Sequence, residues 1–101
     1  MFDYIAFERI AGASTSAELK LFVLSTCAFC EQAKAFLGEH GLAYSMSVVD
    51  LLPNEEKRRV RNEFVRELRT HLRFPTLVVD DSRTLVGFDR SAWTDALLRR
   101  S

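Results

Sequence analysis

Cysteine is nearly absent from this chain of 101 residues: there are two, Cys27 and Cys30. Two sulfurs this close together enclose too little chain to constrain it, which excludes a disulfide-stapled scaffold. Charge of one sign is missing as well, since 14 basic residues balance 14 acidic ones. There is no global electrostatic case for nucleic acid, a membrane surface or an acidic partner. No apolar run approaches the roughly 20 residues of a membrane-spanning helix. The segment Met1-Phe2-Asp3-Tyr4 lacks the basic and long apolar regions of a secretory signal. The cytoplasm is therefore the expected compartment, and a monomer the expected state. Repeats and low-complexity tracts are also missing.

What is present is the composition of a globular protein, 48% hydrophobic and 28% charged, with a length that holds one modest core and not two. Between Glu55 and Arg73 basic residues outnumber acids, and the pattern reads as a solvated helix face with acid-base pairs at helical spacing.

Cys27-Ala28-Phe29-Cys30 stands where an apolar run, Leu19 to Leu24, gives way to a helical pattern. This places the first sulfur at a helix amino end, where unpaired N–H groups and the macrodipole favour negative charge. A thiol there ionises more readily than a free one, and the thiolate is the species that attacks disulfides. The chemistry expected is dithiol-disulfide exchange, with Cys27 as the nucleophile and Cys30 as the resolving thiol. Ser25 and Thr26 are expected to cap the helix.

The near-continuous run at Leu19–Leu24 predicts a central strand covered on both faces. Cys30, Ala33, Phe36 and Leu37 then recur at helical spacing, with Gly38 and Gly41 as the stop. Leu42 to Val49 predicts a second strand, closed by Asp50 as a turn former. A second helix runs from Pro53 and Asn54 to about Thr70, with Val60, Phe64, Leu68 and Leu72, helped by Val65, as its buried stripe. Phe74-Pro75-Thr76 opens a third strand, Leu77 to Val79, which turns at Asp80-Asp81-Ser82 into a fourth, Thr84 to Val86. Asp89 or Ser91 caps a last helix that places Trp93 in packing. His71 reads as a solvated histidine near a helix end.

The order is β-α-β-α-β-β-α, an α/β fold with a four-stranded mixed sheet flanked by helices. Residues 18–101 form the domain. Residues 1–17 are an extension, in which Phe2–Ile10 shows no clean alternation and fits an extra strand, a dimer contact or a flexible tail, with Ala11–Ser16 as loop.

Three features in this order, Cys27-x-x-Cys30, Phe74-Pro75-Thr76 and Val86-Gly87-Phe88-Asp89, resemble the thioredoxin-fold superfamily and, within it, the glutaredoxins. The resemblance covers roughly Glu18 to Arg100. It implies a thiol-disulfide oxidoreductase with a cis Pro75, Phe74 offering its backbone to a substrate peptide, and Gly87-Phe88-Asp89 at a helix end that receives a glutathione carboxylate. Phe29 is expected to present an aromatic edge to the partner. No bound cofactor is implied; glutathione is the implied co-substrate, disulfide-containing proteins are the partners, and electrons come from glutathione or a thioredoxin reductase. The chain departs from the family pattern at Leu24-Ser25-Thr26, where a lysine is common, at Ala28 and Phe29, where proline and tyrosine are usual, and at Val86, where a glycine is usual. Two other readings compete: an iron-sulfur or metal carrier using Cys27 with glutathione or a second subunit, and a non-redox binding module.

Overall fold

The computed structural model describes residues 1–98. Five strands and three helices follow in the order β1 (Glu8–Ile10), β2 (Leu19–Val23), α1 (Ala28–Glu39), β3 (Tyr44–Val48), α2 (Asn54–Leu68), β4 (Thr76–Val79), β5 (Arg83–Val86) and α3 (Arg90–Leu97), with a 3-10 turn at Val49–Leu51. The sheet order is β1-β3-β2-β4-β5. The pair β2 and β3 is parallel, as a helical crossover requires, and the other three pairings are antiparallel. The architecture is the expected mixed α/β fold, with the extra strand realised as a three-residue edge beside β3.

All five residues of β2 are buried: strand alternation sends Leu19, Leu21 and Val23 to one core and Phe22 to another, and Lys20 is held by Asp81 at 2.7 Å. Leu19, Leu21 and Val23 face α1 and α3, joining Cys30, Ala33, Phe36, Leu37, Leu77 and Trp93. Phe22 points the other way, with Val78, toward Val60 and Phe64 of α2. Phe22 and Phe64 meet edge to face at a centroid separation of 5.0 Å.

The amino-terminal segment helps α2 cover this second face. Phe2 is fully buried, its ring 5.0 Å from that of Phe22 and 5.3 Å from that of Phe64. Glu63 of α2 fastens the segment from outside: its Oε2 accepts from the Phe2 N–H at 3.2 Å and its Oε1 from the Tyr4 hydroxyl at 2.8 Å. The Arg59 guanidinium stacks 3.9 Å over the Tyr4 ring. Only Glu8–Ile10 pairs as strand, which explains the missing alternation before it: Phe2 and Ile5 are buried plugs in irregular backbone.

Several boundaries differ from expectation for local reasons. β3 starts at Tyr44 rather than Leu42, because Leu42 bridges Ser14 and Ala43 donates to the Ser14 carbonyl, which pins the predicted Ala11–Ser16 loop. Gly38 lies within α1; Gly41, at φ 63°, is the residue that reverses the chain, with Leu42 N–H closing on Leu37 O at 3.0 Å. α2 ends at Leu68, where Arg69 turns left-handed. Val65 is 47% exposed and leaves the buried stripe, since five helical positions beyond Val60 rotate it away from Val60 and Phe64. Among the described residues, no helix is long and apolar enough to cross a membrane.

Candidate functional site

Four strand ends meet at one edge of the sheet. β2 and β3 finish there, β4 begins there, and β5 returns to it, with Phe22 opposite Thr76 and Thr76 opposite Val86. The cysteines sit at this edge, on the turn from β2 into α1.

Cys27 has extended backbone and is the N-cap of α1. Its Sγ accepts from the Cys30 N–H at 3.2 Å. Ser25 and Thr26 are the residues expected to cap the helix, but the Cys27 sulfur itself takes that place. Cys27 and Cys30 are joined as a disulfide. Their surroundings are unequal: Cys30 is fully buried against Phe36 and Leu37, whereas Cys27 is half-buried and open on one side. Only the first sulfur can be approached from solvent.

Ser25 holds the preceding turn in place. Its N–H donates to Asp50 Oδ1 at 2.9 Å and its hydroxyl donates to Oδ2 of the same carboxylate. The Ser25 hydroxyl, then its N–H, hold the Asp50 carboxyl below its ordinary value, with the charge of Lys57 adding to them. Asp50, expected as a turn former, does lie in the turn Val49–Leu51, but its side chain reaches across to the cysteine loop. No local pattern signals a contact between residues so far apart in sequence.

The remaining candidates surround the disulfide. The Phe74–Pro75 peptide is cis, and Phe74 is half-buried against both cores. The Pro75 carbonyl accepts from the Gly87 N–H at 2.7 Å, and the Gly87 carbonyl from Trp93 Nε1 at 3.0 Å. Gly87, at φ 72°, takes a conformation that side chains disfavour. Phe88 turns inward, its ring 5.0 Å from that of Trp93 and 5.7 Å from that of Phe36. Asp89 caps α3, accepting from the Ser91 N–H at 3.0 Å and the Ala92 N–H at 3.4 Å. The Asp89 carboxylate thus takes the Ser91 and Ala92 N–H groups of that helix end. Phe29 is 60% exposed, and His71 is exposed beyond the end of α2. Among the described residues, no group of three or more His, Cys, Asp or Glu is placed to hold a metal. A polar cleft of about 230 Å³ lies on the far side, between Tyr4 and Arg66, away from the sulfurs.

A family model described as glutaredoxin matches residues 19–83. The chain belongs to the glutaredoxin family. The match takes in Cys27, Cys30, Phe74 and Pro75 and stops short of Gly87-Phe88-Asp89. The glutaredoxin from Methanosarcina mazei Go1 has a similar structure, with a TM-score of 0.78 at 25% identity over 92% of this chain and 88% of that one. Methanosarcina acetivorans methanoredoxin gives 0.70 at 30% identity over 81% and 85% of the two chains. The glutaredoxin from Archaeoglobus fulgidus, at 23% identity and a TM-score of 0.70 over 83% and 89%, shares the fold. No curated protein matches the chain significantly.

Proposed function

We propose that this glutaredoxin-family protein reduces disulfides of proteins, or mixed disulfides with glutathione, through the Cys27/Cys30 dithiol. The observation that carries the reading is the unequal pair at the head of α1: an approachable sulfur that accepts a helix N–H, backed by a buried one. In the reduced protein the same N–H and helix end favour the Cys27 thiolate.

The thiolate attacks one sulfur of a substrate disulfide. A bond forms from Cys27 to that sulfur, the substrate S–S bond breaks, and the released thiolate takes a proton from solvent. Cys30, losing its proton, then attacks Cys27, the intramolecular disulfide forms, and the second substrate thiol departs. The two electrons gained by the substrate come from the dithiol, which is restored by two molecules of glutathione or by a thioredoxin reductase. Phe74 beside the cis proline offers backbone groups to the incoming peptide, with Phe29 at the rim. The reducing cytoplasm is the compartment that suits such a cycle.

The test compares single-cysteine variants in a turnover assay with a disulfide substrate. Cys27→Ser is expected to abolish turnover, while Cys30→Ser accumulates a mixed disulfide visible by intact mass. Full turnover by the Cys27→Ser protein would overturn the assignment.

A further inference from the structure

Among the described residues four large apolar side chains are exposed: Phe29 at 60%, Leu51 at 71%, Val65 at 47% and Val86 at 45%. Val65 lies alone on the outer side of α2. The other three lie on turns and strand ends at the edge of the sheet that carries the disulfide. Phe29 is the second residue after Cys27. Leu51 follows Asp50, whose carboxylate is bonded to the Ser25 turn. Val86 pairs with Thr76, the neighbour of the cis proline. Val86 ends β5 and Leu51 closes the turn after β3, the outer members of the four strands that meet here in the order β3-β2-β4-β5. The strands that lead to the turn of Cys27 and away from Phe74 lie between them.

The charges at this edge are unequal in availability. Asp50 is held by Ser25 and Asp89 by the α3 N–H groups. Among the described residues, no carboxylate forms an ion pair with Arg73, which is exposed next to Phe74. The surface thus combines an apolar ring, a central sulfur and an uncommitted cation.

Glutathione brings a sulfur and two carboxylates but no apolar side chain, so it would leave Phe29, Leu51 and Val86 in water. We propose that this edge docks an extended segment of a protein substrate, with apolar residues on both sides of its disulfide-bonded cysteine and an acidic residue toward Arg73, in preference to glutathione. The proposal rests on the redox reading above. It assigns Leu51 and Val86, in neither of which the chemistry resides, to substrate choice.

The test uses the full chain with Cys30→Ser, so that exchange stops at the Cys27 adduct and intact mass follows its rate. Four symmetric disulfides are compared: a short peptide with an acidic residue and with leucine and valine flanking its cysteine, the same peptide with both flanking residues replaced by serine, oxidised glutathione, and hydroxyethyl disulfide. The apolar peptide is expected to react about tenfold faster than the serine peptide and faster than glutathione, a preference of the size that burying two or three apolar side chains supports. Adding Leu51→Ser and Val86→Ser should bring the ratio of the two peptide rates near one. A ratio does not respond to a general loss of stability. Equal peptide rates in the parent, a ratio unmoved by the two substitutions, or glutathione as the faster partner would overturn the proposal. Reaction with none of the four, hydroxyethyl disulfide included, would remove the redox reading and the proposal with it, a pattern distinct from indiscriminate exchange.

Discussion

The two faces of the sheet are built from similar apolar material but covered in different ways. On one face α1 and α3 present their amino ends to the same edge, so the helices that bury Phe36 and Trp93 also position Cys27 and Asp89. On the other face one long helix and the irregular segment around Phe2 close over Phe22 and Phe64, and the outer fastening is Glu63 with Tyr4. The first face joins its packing to the candidate chemistry. The second contributes packing and meets the candidate site at Phe74, so mutation can test how far the two are separable.

The largest separation is expected from Phe64→Ala, which empties a fully buried ring site on the second face and should cost about 3–5 kcal/mol. Urea unfolding measures the loss. If the folded variant also forms the Cys27 adduct more than about threefold slower, the faces are coupled and the comparison fails.

Gly12→Ala comes next, at about 1–3 kcal/mol. A Cβ there would stand 2.5 Å from the Ala43 nitrogen and 2.6 Å from the Leu42 carbonyl carbon, backbone that cannot step aside. Gly38→Ala is the counterpart, since nothing lies within 4 Å of its Cβ and the site is helical. It should gain about 0.5–1 kcal/mol. Thermal midpoints that move the same way in both would contradict the packing described.

Tyr4→Phe removes the hydroxyl bonded to Glu63 and should cost about 0.5–1.5 kcal/mol near neutrality. Burial first, then the bond to Glu63, pushes this phenol well above its ordinary value of 10.0. A raised folded value means that the stabilisation is whole below 10.0 and is lost as pH rises through the folded value. Stability measured against alkaline pH should fall less steeply in the phenylalanine variant.

The smallest effect concerns the clamp on the cysteine loop. The Asp50 carboxyl is held below 3.8, so its contribution is whole above that pH and disappears as pH falls through the lowered folded value. Asp50→Asn should remove this part of the acid-side decline in urea midpoints, and an unchanged decline would show that the Ser25 contact adds nothing to folding.

The face bearing the cysteines was the more legible in sequence. Cys30, Ala33, Phe36 and Leu37 repeat at helical spacing and all four are buried, because a helix against a sheet imposes that period directly. Cys27 at the helix head followed from the same pattern. The second face was less legible, since Phe2 and Ile5 are buried by backbone with no period to read. In α2, the stripe was found at Val60 and Phe64 but overextended to Val65. The Ser25–Asp50 clamp was invisible, since it joins residues brought together only by the parallel pairing of β2 with β3. Asp89 is legible as a cap, but that it takes the Ser91 and Ala92 N–H groups emerges only from the hydrogen bonds.

Trp93 is the single tryptophan of the chain, and it lies wholly within the first face, hydrogen-bonded to Gly87 and set edge-on to Phe36 and Phe88. Its fluorescence is therefore a local witness, recording the moment when water reaches α1 and α3 and nothing of events around Phe2. Circular dichroism, by contrast, averages over every helix and strand. Unfolding curves from the two signals will superimpose only where both halves of the molecule come apart together, so one cuvette can show whether the sheet transmits cooperativity between its sides.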